Sequence, residues 1–210
     1  MKKSLGLAIV SLLVAGAASA LTIVGTKHDM TAAPGTYKGA NNASNQVCIY
    51  CHTPHNGLST LVPLWNHGTT ATASFTLYTS PTLNAVVTQP AGASKACMSC
   101  HDGSVNVDAF GANAGATKIP ALNANNLGTD LSNDHPVSFT YDAALVTADA
   151  AGGPVGLVVP ASVSLVVAGI PLFATKMECA SCHDVHDNAN APFLRASNSG
   201  SALCLKCHVK

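Results

Sequence analysis

The sequence predicts a mostly irregular fold, with short helices at four cysteine motifs and a few short strands elsewhere. Three observations carry that expectation. The first is a five-residue pattern, Cys-x-x-Cys-His, that occurs four times, at Cys48–His52, Cys97–His101, Cys179–His183 and Cys204–His208. The second is composition: 5% of the 210 residues are aromatic and 10% are charged, where an ordinary domain has about a quarter charged. Such a chain builds a weak side-chain core unaided. The third is that the single strongly apolar stretch of the mature chain, Val155 to Phe173, is broken by Gly156, Pro160, Gly169 and Pro171. Those breakers argue against a long helix of any kind.

The motif names its own chemistry. Cys-x-x-Cys-His is the attachment signature of c-type haem. Two thiols add across the vinyl groups of one porphyrin, and the following imidazole binds the iron from one side. Cys48, Cys51, Cys97, Cys100, Cys179, Cys182, Cys204 and Cys207 are all used in this way. His52, His101, His183 and His208 are the proximal ligands. Zinc or disulfides also use paired cysteines, but neither requires a histidine after every pair. Four covalent haems then supply the apolar volume that the side chains lack, so the haems are expected to form the core and the apoprotein to be largely unfolded.

Residues 1–20 read as a secretory signal. Lys2 and Lys3 form the charged start, Leu5 to Val14 the apolar run, and Ala18-Ser19-Ala20 the cleavage site. The run is too short to span a bilayer comfortably. The expected mature domain is 21–210, exported to the cell surface or periplasm. Losing Lys2 and Lys3 lowers Lys plus Arg from 10 to 8 against 10 acids, a formal −2. Haem propionates add about −8 if all are ionised, which disfavours nucleic acid and anionic membrane surfaces as partners.

Taken in order, residues 21–47 form a polar arm that holds His28. The first site continues as Cys-His-Thr-Pro-His, so His55 follows its proximal histidine by three residues. It cannot comfortably reach the same iron from the far side, but it can reach the iron of an adjacent haem. Pro63-Leu64-Trp65-Asn66-His67 follows, with Trp65 expected to pack on a haem. Residues 68–96 read as linker, and Asp102-Gly103 as a turn after the second site. Residues 103–136 read as loop. Pro136 holds His135 extended, which suits an imidazole presented from a loop. Val163, Leu165 and Val167 alternate, so a short hairpin or strand pair is expected there. His186 repeats the logic of His55, and Arg195 is expected to pair with a propionate. Asp102 and Asp184, each after a proximal histidine, shape turns.

The expected distal ligands are His28, His55, His135 and His186, with His67 as the spare. Met30 and Met177 are the remaining alternatives.

These residues resemble the multihaem c-type cytochromes with doubled Cys-x-x-Cys-His motifs. The similarity extends to small tetrahaem members of metal-reducing bacteria, among them cytochromes that polymerise into extracellular filaments. The resemblance implies bis-histidine haems in close contact and little regular secondary structure. It implies electron transfer through a homopolymeric extracellular conduit, with an axial histidine donated across the subunit interface. Its redox partners would be other cytochromes or an extracellular acceptor. A soluble periplasmic tetrahaem shuttle and a multihaem reductase with one open iron are the other readings. No acid–base or nucleophile constellation stands out, so electron transfer rather than enzymatic turnover is expected.

Intact mass spectrometry of the secreted protein tests this directly. The expected mass is the chain from Leu21 plus four haems, and a lower haem count or bound zinc overturns the reading.

Overall fold

The computed structural model describes residues 23–31, 46–58, 60–152, 156–161 and 166–209. The expected signal peptide, its cleavage site, most of the arm, and Val163 and Leu165 lie outside them. The backbone is mostly turn and coil, as the sequence predicts. Among the described residues regular structure is confined to three α-helices, α1 (Gly92–His101), α2 (Ala143–Ala150) and α3 (Cys179–Cys182), and to six two-residue strands. Single turns of 3-10 helix, Val47–Tyr50 and Cys204–Lys206, open the first and fourth motifs.

The strands are β1 (Phe139–Thr140), β2 (Gly156–Leu157), β3 (Val166–Val167), β4 (Ile170–Pro171), β5 (Lys176–Met177) and β6 (His208–Val209). They pair antiparallel in twos: β1 with β5, β2 with β6, and β3 with β4. The β3–β4 hairpin is the strand pair expected in the apolar stretch, turned at Ala168-Gly169, where Gly169 takes φ +87°. Among the described residues no helix is long and apolar enough to cross a membrane.

α1 follows from Ala93, Lys95, Ala96 and Met98, good helix formers without a β-branched residue. Its buried face is small: Ala93, Ser94, Ala96, Met98 and Ser99. The helix stops at Asp102-Gly103. Gly103 sits at φ +71°, and a Cβ there would lie 2.4 Å from Asn126 Nδ2, so glycine is required on both counts. α2 was not expected from the sequence. It is nucleated by Asp142, whose carboxylate accepts the Leu145 amide at 2.9 Å, an N-cap. Only Leu145 of α2 is buried, so its apolar periodicity is too weak to read.

Two side-chain clusters occupy the interior. Phe139, Tyr141, Leu145, Ile170, Leu172 and Met177 form the larger, with Cys182 and Cys207 packed against it. Phe75, Met98 and Leu131 form the smaller. The third and fourth attachment sites therefore border the larger cluster.

The segment after the second proximal histidine is held by Asp102, which is buried. Its carboxylate accepts from Thr70 Oγ1, from Thr72 Oγ1 at 2.8 Å and from the Ser104 amide at 2.7 Å. Burial works to raise its pKa, but the bonds from Thr70, Ser104 and Thr72 outweigh it and hold the group below the usual range. A depressed folded pKa contributes stability that is present above about pH 4 and lost as pH falls through the folded value. Asp102→Asn is expected to cost about 1–3 kcal/mol near neutrality and to flatten that acid limb. Thermal melts across pH 3–7 check both.

Candidate haem sites

Three of the four motifs are built alike. A short antiparallel strap lies across the histidine of each; in the first and third motifs it is the chain returning after the motif, and in the fourth it comes from upstream. In the first motif His52 bridges Trp65, the Asn66 amide donates to Cys51 O at 2.8 Å, and the Thr53 amide donates to Leu64 O at 2.9 Å. In the third, His183 bridges Leu194, the Arg195 amide donates to Cys182 O at 2.9 Å, and the Asp184 amide donates to Phe193 O at 2.7 Å. Leu64 and Phe193, at matching places, both take φ +59°. In the fourth, β2 is the strap: Leu157 faces His208, and the Val158 amide donates to Cys207 O at 2.8 Å. The second motif ends a longer helix and takes its partner from residues 125–127, where the Leu127 amide donates to His101 O at 2.6 Å.

The strap also orients the imidazole. His52 Nδ1 lies 2.7 Å from Pro63 O, His101 Nδ1 2.7 Å from Asn125 O, and His183 Nδ1 3.1 Å from Pro192 O. With the proton on Nδ1 engaged by a carbonyl, Nε2 is the free, metal-facing nitrogen. His135 follows the same rule through Pro136 O at 2.9 Å, and His67 through Gly68 O at 2.7 Å.

The proximal rings meet distal candidates at one recurring spacing. His52 and His186 have ring centroids 6.3 Å apart, His28 and His101 6.1 Å, and His135 and His208 6.4 Å. Two imidazoles on opposite faces of one metal, each about 2 Å away through nitrogen, put their centroids about 6.3 Å apart. The ring planes differ by 20°, 53° and 74°, and rotation about a shared axis permits all three. Among the described residues no group of three or more His, Cys, Asp or Glu gathers as for a bare metal ion. Haem iron takes four nitrogens from the porphyrin and needs two from the protein, so pairs are the fitting arrangement.

His28 reaches its place because Asp29 folds the arm. That buried carboxylate accepts the Gly25 amide at 2.9 Å and Thr31 Oγ1 at 2.6 Å. His28 packs edge-on against Phe193 at 4.6 Å. Burial, then the neighbouring His101, His183 and His186, lowers its pKa to about 4, so the ring is neutral, as a ligand must be.

The other expected ligands fare differently. His186 Nδ1 lies 3.4 Å from Asp184, which also binds Arg195 at 2.9 Å. Arg195 further donates to Ala180 O at 2.7 Å, so its guanidinium braces the third loop; the sequence pointed it at a propionate. His55 is exposed and has no ring contact. His183 is near enough to His28 to influence it, but among the described residues no second imidazole stands at the recurring spacing from it. His67, read as the spare, is 3% exposed, lies 5.8 Å from the Trp65 ring, and points Nε2 to within 3.5 Å of Cys100 Sγ.

Further features fit a haem. Tyr50 Oη and Trp65 Nε1, both in the first motif's loop, are buried without a hydrogen-bond partner in the chain. Buried donors are rarely left so, and carboxylate side arms of a porphyrin are suitable acceptors. All eight cysteines are free thiols. Burial, with Cys48 beside it, pushes Cys51 up to about 11; burial, then Cys182 and Cys204, pushes Cys207 to about 11.

Residues 172–210 match the family described as the doubled CXXCH motif, which takes in the third and fourth sites. No curated protein matches the chain. The family match supports a multihaem c-type cytochrome with covalently bound haem c. His28→Ala, His135→Ala and His186→Ala are each expected to turn one haem high-spin, read by electron paramagnetic resonance. His67→Ala is expected to leave the spectrum low-spin, and the reverse result reassigns the spare histidine.

Proposed function

We propose that the chain transfers electrons through four bis-histidine haems and that one of those sites is completed by a neighbouring copy, so that copies join into an extracellular conduit. The observation that carries the proposal is the imbalance of imidazoles. Three proximal rings have a partner in the same chain at ligand spacing, while His183 has none among the described residues and the exposed His55 has none either.

The repeated loop supports His55 as the missing partner. His55 stands to His52 as His186 stands to His183, three residues on. His186 crosses to His52, so the equivalent crossing would take His55 to a His183. That histidine would belong to another copy, since His55 is exposed and stands at ligand spacing from no ring of its own chain among the described residues. Leu58 and Leu64, 50% and 48% exposed, give the surface around His55 an apolar collar that association would bury. His28 stands beside His101 of its own chain at 6.1 Å, which favours His55 over His28 as the donor.

Bound haem supplies a one-electron iron couple, low in potential when both axial ligands are histidine. The protein contributes placement: carbonyls hold Nδ1 of His52, His101, His183 and His135, and paired imidazoles would occupy both faces of a bound iron. With no open coordination site, outer-sphere electron passage is favoured over substrate reduction. Each joined copy would complete a site and extend the line of haems together.

The test is His55→Ala. The expected product is a monomer by size exclusion, with one high-spin haem, while wild-type protein forms low-spin polymers by electron microscopy. Polymers with every haem low-spin in the variant would remove the cross-subunit ligand. A wild-type protein that is monomeric and fully low-spin would make the periplasmic shuttle the reading, and carbon monoxide binding to the native ferrous protein would make it the reductase.

A further inference from the structure

Glu178 is the least expected acidic residue of the molecule. It is 3% exposed, and the three serines around it, Ser94, Ser138 and Ser181, are fully buried. Its carboxylate accepts from Ser94 Oγ on α1, from Ser138 Oγ at 2.8 Å just before β1, and from the Ser181 amide inside α3. The directions of these bonds are forced. Ser94 Oγ accepts the Cys179 amide at 3.0 Å, and Ser138 Oγ accepts the Ala91 amide at 3.1 Å. Each hydroxyl therefore spends its own proton on Glu178, and the carboxylate faces donors only. Ser181 Oγ closes the capping box by accepting the Glu178 amide at 3.0 Å.

The network joins two attachment helices at their haem-bearing ends. Ser94 lies one turn before Cys97, and Glu178 immediately precedes Cys179. Across the join the thiols of Cys97 and Cys179 lie near enough to shift each other's protonation in opposite directions. The serines and alanines on the buried face of α1 let α3 come this close. Nothing else in the described chain ties the second motif to the third so directly.

We propose that Glu178 is a positioning residue that locks α1 to α3 and thereby fixes the contact and relative orientation of the second and third haems at the Cys97–Cys179 junction. This rests on the haem reading above. A thioether at each sulfur places an edge of each porphyrin at the junction, so small rotations of α1 against α3 change how the two haems couple. Glutamine at 178 breaks the pattern, because its amide nitrogen presents a donor to hydroxyls that already receive backbone amides.

The experiment compares wild type, Glu178→Gln and Ser94→Ala as purified holoproteins. Haem count by mass and haem-peptide mapping come first, followed by Soret circular dichroism and a spectroscopic redox titration. Both variants are expected to retain bis-histidine low-spin haems, to lose amplitude in the haem–haem exciton couplet, and to shift the titration curve. Unchanged couplets and titration curves in both variants overturn the proposal. If a variant loses haem, loss confined to the Cys97 or Cys179 site supports the local lock, whereas loss at Cys48 or at all four sites overturns it. A wild-type protein without four haems is the failure of the underlying reading and is distinguished at the first step.

Discussion

The constraint on which the fold depends is the orientation of an imidazole beside two committed cysteines. A proximal histidine must turn Nε2 toward the metal and hold it there. A carbonyl on Nδ1 does this, and the chain has to bring that carbonyl back across the motif. Pro63, Asn125 and Pro192 supply it for His52, His101 and His183. Proline suits the role at two of these, because it offers a carbonyl and no amide that would need its own partner. The positive φ at Leu64 and Phe193 and the β2–β6 pair serve this return. One strap contributes a few backbone hydrogen bonds, each worth about 1 kcal/mol net. Such straps are marginal alone, and they gain their permanence from ligand–metal bonds that exist only in the loaded protein.

Part of this was legible in the sequence. The sparse aromatic content and the four Cys-x-x-Cys-His motifs pointed to the irregular backbone that the structure shows and to the doubled motif that the family match covers at residues 172–210. His28, His135 and His186 were legible as candidates through histidine bookkeeping and the Cys-His-x-x-His spacing. The internal repeat of Pro63-Leu64-Trp65-Asn66 against Pro192-Phe193-Leu194-Arg195 shows only once the straps are seen, because the unequal loops before it hide the match. What the sequence could not display is pairing across distance. Nothing local joins His28 to His101 or His52 to His186. α2 escaped because a single buried leucine gives no period. Glu178 escaped because a lone acid before a Cys-x-x-Cys-His reads as a solvated residue unless Ser94 and Ser138, 84 and 40 residues away, are known to face it.

The buried acids explain how so much coil is kept in one conformation with so little charge. Irregular backbone leaves amides that no helix or ladder satisfies, and each must find an acceptor when buried. A carboxylate can accept several at once without donating. Asp29 gathers Gly25 and Thr31, Asp102 gathers Thr70, Thr72 and Ser104, Asp108 accepts the amides of Ala116 and Thr117 at 2.8 and 3.0 Å, and Glu178 gathers Ser94, Ser138 and Ser181. Their partners are the hydroxyls and small residues that dominate the composition. The same residues that weaken an aliphatic core thus build a hydrogen-bonded one, distributed around the attachment sites. Such a lattice is directional where an oily core is not, and direction is what the placement of several flat, rigid cofactors demands. In this chain the polar loops are the framework, and the apolar mass is left to groups that the cysteines bring in.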